Sequence, residues 1–246
     1  MEIRGDDDAA VAGATVDSGY RLLFRLGGVA ALATVALTFL QVVLGIVWPP
    51  PDFAPTAAIA ESMLRMVETS PVRAFVTLDG LMVIDYVMLG VVYLALYAAL
   101  RRRSPSLVTL GVGLALIAIT LYFAVNPSIT MFALGAQYAL APEGIVPAAQ
   151  AALAAFEGTA FIVHYIVMGV AGILVSMAML RGTEFSRVTA VAGILQGAMM
   201  LVPVTFGTIG LVFALGSLIP FVVWFVLVGI RLGRMASQMG APAGAS

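Results

Sequence analysis

Cysteine and lysine are absent from this sequence, and each absence excludes a class of chemistry. Without cysteine, the chain can form no disulfide, no cysteine–zinc site and no thiol nucleophile. Without lysine, since all twelve basic residues are arginine, it cannot form a Schiff base. The one histidine has no second histidine at the spacing of a metal-binding motif, so we predict no metal site and no cofactor.

Charge is also scarce, and its scarcity excludes a soluble domain. Only 10% of the 246 residues are charged and 62% are hydrophobic, whereas soluble domains have about 25% charged and about 45–50% apolar residues. The net charge of −1 provides no basic patch for a nucleic acid. We therefore expect an integral membrane protein whose partners are membrane lipids, with no nucleic acid among them.

The long apolar runs predict the fold class. A helix needs about 20 apolar residues to cross a hydrocarbon core of about 30 Å, because each residue rises about 1.5 Å. Six runs of this kind lie near residues 26–47, 75–100, 107–125, 158–180, 188–206 and 209–230. The fifth is the weakest, since Pro203 and Gly207 lie at its end. The sequence thus predicts an all-α polytopic bundle of six transmembrane helices over residues 21–234.

The positions of the arginines predict the orientation. Cytoplasmic loops of membrane proteins carry an excess of arginine and lysine. With six spans and both termini inside, ten of the twelve arginines are cytoplasmic, and only Arg65 and Arg73 lie outside. We therefore predict cytoplasmic termini, with residues 1–20 as a disordered acidic tail and residues 235–246 as a flexible one.

Two segments between the spans have helical or apolar character without the length to cross a membrane. Residues 56–69 alternate at helical spacing, with Met63 on an apolar face and Glu61 on a polar one. We interpret this segment as a packed lid at the outer surface rather than as a partner-binding helix. Met131–Ala141 is apolar but short, which predicts a re-entrant or interfacial segment.

Two pairs of glycines have the GxxxG spacing that allows helices to approach closely. They are Gly193 with Gly197 and Gly229 with Gly233. In a glycine-rich chain, this spacing indicates packing within the bundle more often than a contact between chains. An oligomer through these faces is the alternative prediction.

Polar side chains from three spans are predicted to lie at one depth. Gln41, Asp85 and His164 are each about 24 Å from the arginine at the cytoplasmic end of their own span. Three further polar residues are expected just above this level: Asp79, Asn126 and Glu157. Ionisable residues inside a membrane are costly and mark packing partners or functional pathways. We therefore predict one polar cluster in the outer leaflet.

The cluster admits three roles. It can hold the helices together through hydrogen bonds. It can sense or pass a proton or a small apolar ligand, for which the candidates are Gln41, Asp85, Asn126 and His164. It can catalyse acid–base chemistry on a lipid or another apolar substrate, for which the candidates are Asp79, Asp85, Glu157 and His164. We expect a non-enzymatic protein with one of the first two roles and keep a membrane-embedded enzyme as the alternative.

Features of the second half carry a family resemblance. Phe161 and His164 precede Gly169 and Gly172 in span four, and the turn Leu180-Arg181-Gly182-Thr183-Glu184-Phe185-Ser186-Arg187 follows. The last span contains Pro220 with Trp224 and ends on Arg231. This pattern resembles an uncharacterised family of bacterial multi-pass membrane proteins, the domain of unknown function 4386. The resemblance implies a six- or seven-helix protein of the bacterial cytoplasmic (inner) membrane and implies no activity.

Overall fold

The structure is a computed structural model that describes residues 19–49, 55–202 and 207–239. All regular elements in these ranges are α-helices: α1 (Arg21–Val47), α2 (Ala57–Thr69), α3 (Pro71–Thr77), α4 (Gly80–Leu100), α5 (Pro105–Val125), α6 (Ser128–Tyr138), α7 (Pro142–Phe156), α8 (Thr159–Arg181), α9 (Arg187–Met199) and α10 (Gly207–Gln238). The predicted acidic tail lies outside the described residues apart from its last two. The predicted C-terminal tail begins within α10, which continues to Gln238 before the description ends.

Five helical segments are long and apolar enough to cross a membrane, judged by length and composition. They are α1, α4, α10, the run from Pro105 through α6, and the run from Pro142 through α8. The helical membrane class predicted from composition is confirmed at this level. The predicted count of six is not reached among the described residues.

The difference in count arises at the fifth predicted span, residues 188–206. The helix there, α9, has only 13 residues. Met200–Val202 form a turn, and residues 203–206 lie outside the described part of the chain. An α-helix of this length rises about 20 Å, less than the hydrocarbon thickness of about 30 Å.

The second predicted span, residues 75–100, is divided in two by Asp79. This residue has a φ of 62°, in the left-handed region that side chains other than glycine rarely adopt. Asparagine and aspartate tolerate it best, because their short polar side chains can form local hydrogen bonds. The chain therefore leaves α3, turns at Asp79 and enters α4.

Close glycine contacts hold the long helices together. The helix α1 packs on α4 and α10, α5 packs on α8, and α9 packs between α8 and α10. A Cβ atom on Gly28 would lie 3.0 Å from the carbonyl oxygen of Gly229, and one on Gly197 would lie 2.5 Å from that of Gly169. Glycines of both GxxxG pairs thus form contacts within the bundle, as the first interpretation predicted; the oligomer stays a prediction.

Four helices form a structure that we call the cap, which consists of α2, α3, α6 and α7. They share a hydrophobic cluster separate from the bundle core: Ala60, Met63, Leu64, Val67, Ala74, Leu78, Met131, Ala149 and Leu153. Thr56 begins α2 by accepting a hydrogen bond from the Ile59 backbone N–H. Residues 57–69 form a packed helix, as the lid interpretation requires, and their placement at the outer surface stays a prediction. The segment Met131–Ala141 belongs to the same cap through α6, whose Met131 is fully buried.

The opposite end, which we call the arginine end, collects basic side chains from several helices. Arg101, after α4, lies 5.0 Å from the Tyr20 ring at the start of α1. Arg103 pairs with Glu184 in the α8–α9 turn, and Arg231 of α10 donates to the Glu184 carbonyl. The starts or ends of five predicted spans therefore meet at one end of the molecule.

Candidate functional site

Asp79 is the centre of a hydrogen-bond network between the cap and the bundle. Its Oδ2 accepts a hydrogen bond of 2.6 Å from the Tyr122 hydroxyl, and its Oδ1 accepts one of 3.3 Å from Gln41 Nε2. The same Gln41 amide donates to the Val76 carbonyl at 3.1 Å. The left-handed turn thus places one carboxylate between α1, α3 and α5.

Asn126 extends this network to the start of α6. Its Nδ2 donates to the Tyr122 hydroxyl oxygen at 3.0 Å and to the Asp79 carbonyl at 3.3 Å. Its Oδ1 accepts hydrogen bonds from the Ser128 backbone N–H and hydroxyl. The polar atoms that connect bundle and cap therefore largely satisfy one another.

His164 joins the network through aromatic contacts. The rings of Tyr86 and Tyr122 stack, with centroids 4.0 Å apart and planes inclined by 11°. The His164 ring centroid lies 5.2 Å from each of them. The Tyr86 hydroxyl lies 3.0 Å from His164 Nε2, and His164 Nδ1 lies 3.1 Å from the Ala118 carbonyl oxygen.

The Ala118 contact determines the roles of the two ring nitrogens. A carbonyl oxygen only accepts, so Nδ1 carries the proton and donates to Ala118. In the neutral ring, Nε2 then accepts from the Tyr86 hydroxyl. His164 is 1% exposed, and both of its nitrogens have partners. Its immediate geometry is that of a residue that joins α4, α5 and α8.

Asp85 forms no hydrogen bond with this network. It is 5% exposed, and its Oδ1 is buried with no hydrogen-bond partner among the described residues. The Thr34 hydroxyl lies close to this carboxylate but outside hydrogen-bond geometry. Buried polar groups in proteins are almost always paired, so an unpaired carboxylate oxygen calls for a specific explanation.

Asp85 faces a cavity of about 320 Å³ between α1, α4, α8, α9 and α10. The wall is mostly apolar and rich in aromatic rings: Tyr86, Tyr93, Tyr165, Phe221, Trp224 and Phe225. Among the described residues of the wall, Asp85 is the single charged side chain. Apolar cavities of this size with a few polar groups are characteristic of small-molecule sites.

The structure separates the predicted cluster into two parts. Gln41, Asp79, Asn126 and His164 are involved in the network, whereas Asp85 faces the cavity. Glu157, predicted to lie just above the cluster, is exposed at the end of α7. No group of three or more His, Asp or Glu side chains in the described ranges could hold a metal ion.

Sequence reasoning missed the residues that complete both parts. Tyr122 carries no charge, yet it bonds to Asp79 and Asn126. The spacing of one helical turn between Tyr122 and Asn126 was the available signal. Tyr86 is likewise uncharged and was not predicted as a site residue, although its hydroxyl contacts His164. Thr34 and Trp224 line the cavity because of how α1 and α10 are rotated about their axes. The spacing of residues in the sequence does not give this rotation.

These features place the chain in the class of α-helical membrane proteins with an internal cavity. No family model, curated protein or solved structure matches the chain. The resemblance to the domain of unknown function 4386 therefore stays a prediction. The function has to be argued from the cavity and the network.

Proposed function

We propose that the protein binds a small, largely apolar molecule inside the bundle, in the cavity beside Asp85. The observation that carries this proposal is that Asp85 lines an aromatic cavity of about 320 Å³, while its buried Oδ1 has no hydrogen-bond partner among the described residues. A buried polar group without a partner destabilises the fold unless another group satisfies it. A ligand that brings a hydrogen-bond donor or a positive charge would do so.

The access route that we propose runs through the bilayer. Leu215 of α10 lines the cavity and is also 55% exposed on the bundle surface. The cavity wall and the lipid-facing surface therefore meet at α10. An apolar molecule dissolved in lipid could reach Asp85 from this side without crossing water.

Helix packing at the end of the cavity nearer the arginine end supports binding rather than a continuous channel. Gly28 and Gly229 bring α1 and α10 into backbone contact on the arginine side of the cavity. Trp224 and Phe225 of α10, which lie five and four residues before Gly229, line the cavity and are buried. This close packing on the arginine side favours a binding cavity.

The polar network has a structural role in this proposal. Asp79, Tyr122 and Asn126 satisfy one another and connect the cap to the bundle. The enzymatic alternative would need a second acid or base beside Asp85. Neither Asp79 nor His164 is among the described residues of the cavity wall, and Glu157 is exposed.

We also propose that the chain crosses the bacterial cytoplasmic membrane six times with both termini inside. In this topology, α9 belongs to the fifth pass. The support is the arrangement of the chain: α8 ends with Arg181, α9 begins with Arg187, and α9 packs on both α8 and α10. The gathering of Arg101, Arg103 and Arg231 at one end agrees with cytoplasmic placement of that end.

Quenching of tryptophan fluorescence tests the cavity directly. The chain has two tryptophans, so Trp48→Phe leaves Trp224 as the only emitter. Trp224 is 2% exposed and lines the cavity, so a heavy-atom quencher such as bromobenzene must enter the bundle to reach it. In lipid nanodiscs, we expect quenching that saturates with bromobenzene concentration.

A cavity-filling variant provides the control. Ala214 lines the cavity, and Ala214→Phe in the Trp48→Phe background should abolish the saturable quenching. Ala58→Phe makes the same change at an exposed position of the cap and should leave it intact. Quenching that rises linearly with bromobenzene concentration would show that the cavity does not bind bromobenzene. Equal quenching in Ala214→Phe and Ala58→Phe would show the same.

A further inference from the structure

The arginine end contains a second pocket, of about 500 Å³, which we call the end pocket. Its walls are the start of α1, the end of α4 with the residues that follow it, and the end of α10. Glu184 from the α8–α9 turn completes them. The described walls of the end pocket and of the cavity beside Asp85 share no residue, so the two spaces are distinct.

One part of the end pocket is positively charged. Arg101, Arg102 and Arg103 all line it, and Glu184 is the one acidic residue of the described wall, so three arginines and one glutamate give a net charge of +2. Oε1 of Glu184 lies 3.3 Å from Arg103 Nε, and its Oε2 is buried beside Gly182. The carboxylate is thus engaged through one oxygen and covered at the other, and the net charge of the pocket favours an anion.

Contacts within the protein position two of the three guanidinium groups. Arg101 lies over the Tyr20 ring, 5.0 Å from its centre. Glu184 holds Arg103 through its Nε, and Arg231 of α10 fixes the Glu184 backbone by donating to its carbonyl oxygen. The guanidinium of Arg101 and the Nη groups of Arg103 have no hydrogen-bond partner among the described residues. Positioned groups with spare donors lose little conformational entropy when they bind an anion.

The rest of the end pocket is apolar. It is lined by Phe24 of α1, Ala98 and Ala99 of α4, and Met235 and Met239 at the end of α10. Both methionines lie beyond the last predicted span, so the extension of α10 past that span provides this wall. Methionine side chains are flexible and adapt to irregular apolar partners, which suits a hydrocarbon chain. A pocket that is cationic in one part and apolar in another suits an amphiphile with an anionic head.

The end pocket lies where the head groups of a bilayer are expected. The helix α4 ends at Leu100, one residue before the first of the three arginines, and α1 begins at Arg21, directly after Tyr20. Arginines at the ends of membrane helices extend their charge to the membrane surface. Basic pockets between membrane helices at this level bind the head groups of anionic lipids.

We infer that the end pocket binds one anionic phospholipid. Its phosphate accepts hydrogen bonds from Arg101 and Arg103, and one acyl chain packs against Phe24 and Met235. Guanidinium groups suit a phosphate because their planar donors can bind two of its oxygens at once. This inference depends on the membrane class of the protein and not on the ligand proposed for the cavity beside Asp85, so either can fail without the other.

Native mass spectrometry of the full chain, released from detergent, counts bound lipids and gives their affinities. Three ligands separate the sources of binding: phosphatidylglycerol, phosphatidylcholine with the same acyl chains, and glycerol phosphate, which has no chains. We expect one phosphatidylglycerol to bind about tenfold more tightly than phosphatidylcholine, because the arginines repel the choline group. Glycerol phosphate should bind at least a hundredfold more weakly than phosphatidylglycerol, because it makes no apolar contacts.

Paired substitutions assign the charge preference to the pocket. Arg101→Gln combined with Arg103→Gln should weaken binding of phosphatidylglycerol about tenfold. Arg181→Gln combined with Arg187→Gln makes the same charge change at exposed positions that do not line the pocket. This control pair should change the affinity less than twofold.

Filling the apolar part provides a test that leaves every charge and ion pair in place. Ala99→Phe should weaken binding of phosphatidylglycerol about tenfold, because the larger side chain occupies the space of the acyl chain. Ala58→Phe, at an exposed position of the cap, should leave the affinity unchanged.

Three results would overturn the inference. Equal weakening by the two arginine pairs would mean that the lipid responds only to the net charge of the arginine end. Glycerol phosphate bound as tightly as phosphatidylglycerol would indicate a site for a soluble phosphate. Tight binding that persists in Ala99→Phe would place the lipid elsewhere. Quenching of Trp224 by bromobenzene is independent of all three, so failure of this inference is distinguishable from failure of the proposed function.

Discussion

Asp79 and Asp85 lie six residues apart, yet only Asp79 has its carboxylate satisfied. Asp79 accepts hydrogen bonds from Gln41 and Tyr122, whereas Asp85 Oδ1 accepts none from the described residues. Both side chains are expensive to bury, and the protein compensates for only one of them internally. Because of this difference, we propose a structural role for Asp79 and a ligand-binding role for Asp85.

Replacing each aspartate by asparagine should therefore have opposite effects on stability. Asp79→Asn retains tolerance for the left-handed backbone but weakens the bond from Tyr122, so we expect unfolding to become easier by about 1–2 kcal/mol. Asp85→Asn removes an unpaired carboxylate and should leave stability unchanged or raise it by about 1 kcal/mol. Thermal unfolding of the two variants in the same detergent measures the difference. A larger loss for Asp85→Asn would contradict the assignment.

The Tyr122 hydroxyl should stabilise the joint between cap and bundle. Tyr122→Phe removes the donor to Asp79 and the acceptor for Asn126, so we expect a loss of about 1–3 kcal/mol. Tyr138→Phe removes a hydroxyl from the cap outside this network and should cost less than about 0.5 kcal/mol. Hydrogen exchange should show faster opening of α6 in Tyr122→Phe only. Equal effects of the two changes would argue against the network.

Tyr86 and His164 should be energetically coupled. In a double-mutant cycle with Tyr86→Phe and His164→Phe, we expect an interaction free energy of about 0.5–1.5 kcal/mol, as measured for hydrogen bonds between membrane helices. The cycle of Tyr97→Phe with His164→Phe serves as control, because Tyr97 lies three turns further along α4. Additive effects in the first cycle would mean that the contact contributes nothing.

Glycine contacts between α8 and α9 should tolerate no side chain. A Cβ at position 197 would lie 2.5 Å from the Gly169 carbonyl oxygen, so Gly197→Ala must separate the two helices and should destabilise the protein by about 1–3 kcal/mol. A Cβ added to Gly113 of α5 would have no other heavy atom within 4 Å. Gly113→Ala should therefore be neutral or stabilising by up to about 1 kcal/mol. Chemical or thermal unfolding of both variants would show whether the contact matters.

Cysteine labelling can determine the orientation of the chain in the membrane. Because the chain contains no cysteine, each introduced cysteine is the single labelling site. We expect Ser237→Cys and Ser106→Cys, both at the arginine end, to react with an impermeant maleimide only after the membrane is opened. Ser62→Cys, which is exposed in the cap, should react in intact cells. The reverse pattern would place the termini outside, and reaction of Ser106→Cys and Ser62→Cys from the same side would contradict the proposed topology.

Much of the fold could be predicted, because a membrane imposes length and polarity on each helix. The predicted third span, 107–125, agrees closely with Pro105–Val125, and the fourth, 158–180, with Thr159–Arg181. The break at Asp79 was not predicted, because hydropathy is insensitive to one left-handed residue. Pro203 and Gly207 marked the fifth span as the weakest, but the apolar residues between Met199 and Pro203 gave no sign that α9 ends at Met199.

For the candidate site, counting residues along each predicted helix gave the depth of a polar side chain in the membrane. It could not give the rotation of the helix about its axis, and so not the direction of that side chain. Gln41 and His164 were expected at one level and do join one network, through Asp79 and the stacked tyrosines. Asp85 was expected in the same cluster, but its helix turns it toward the cavity. Which side of a helix meets a neighbour depends on contacts such as Gly28 with Gly229, which link distant parts of the chain.

The short helix α9 has a consequence for the surrounding lipid. It rises about 20 Å, so a bilayer of ordinary thickness beside it must become thinner or admit water near Met200. Met200 lines the cavity, which means that the deformation would lie next to the proposed binding site. Bilayer thickness would then act on the cavity, and the protein should prefer, and behave differently in, membranes made of shorter acyl chains.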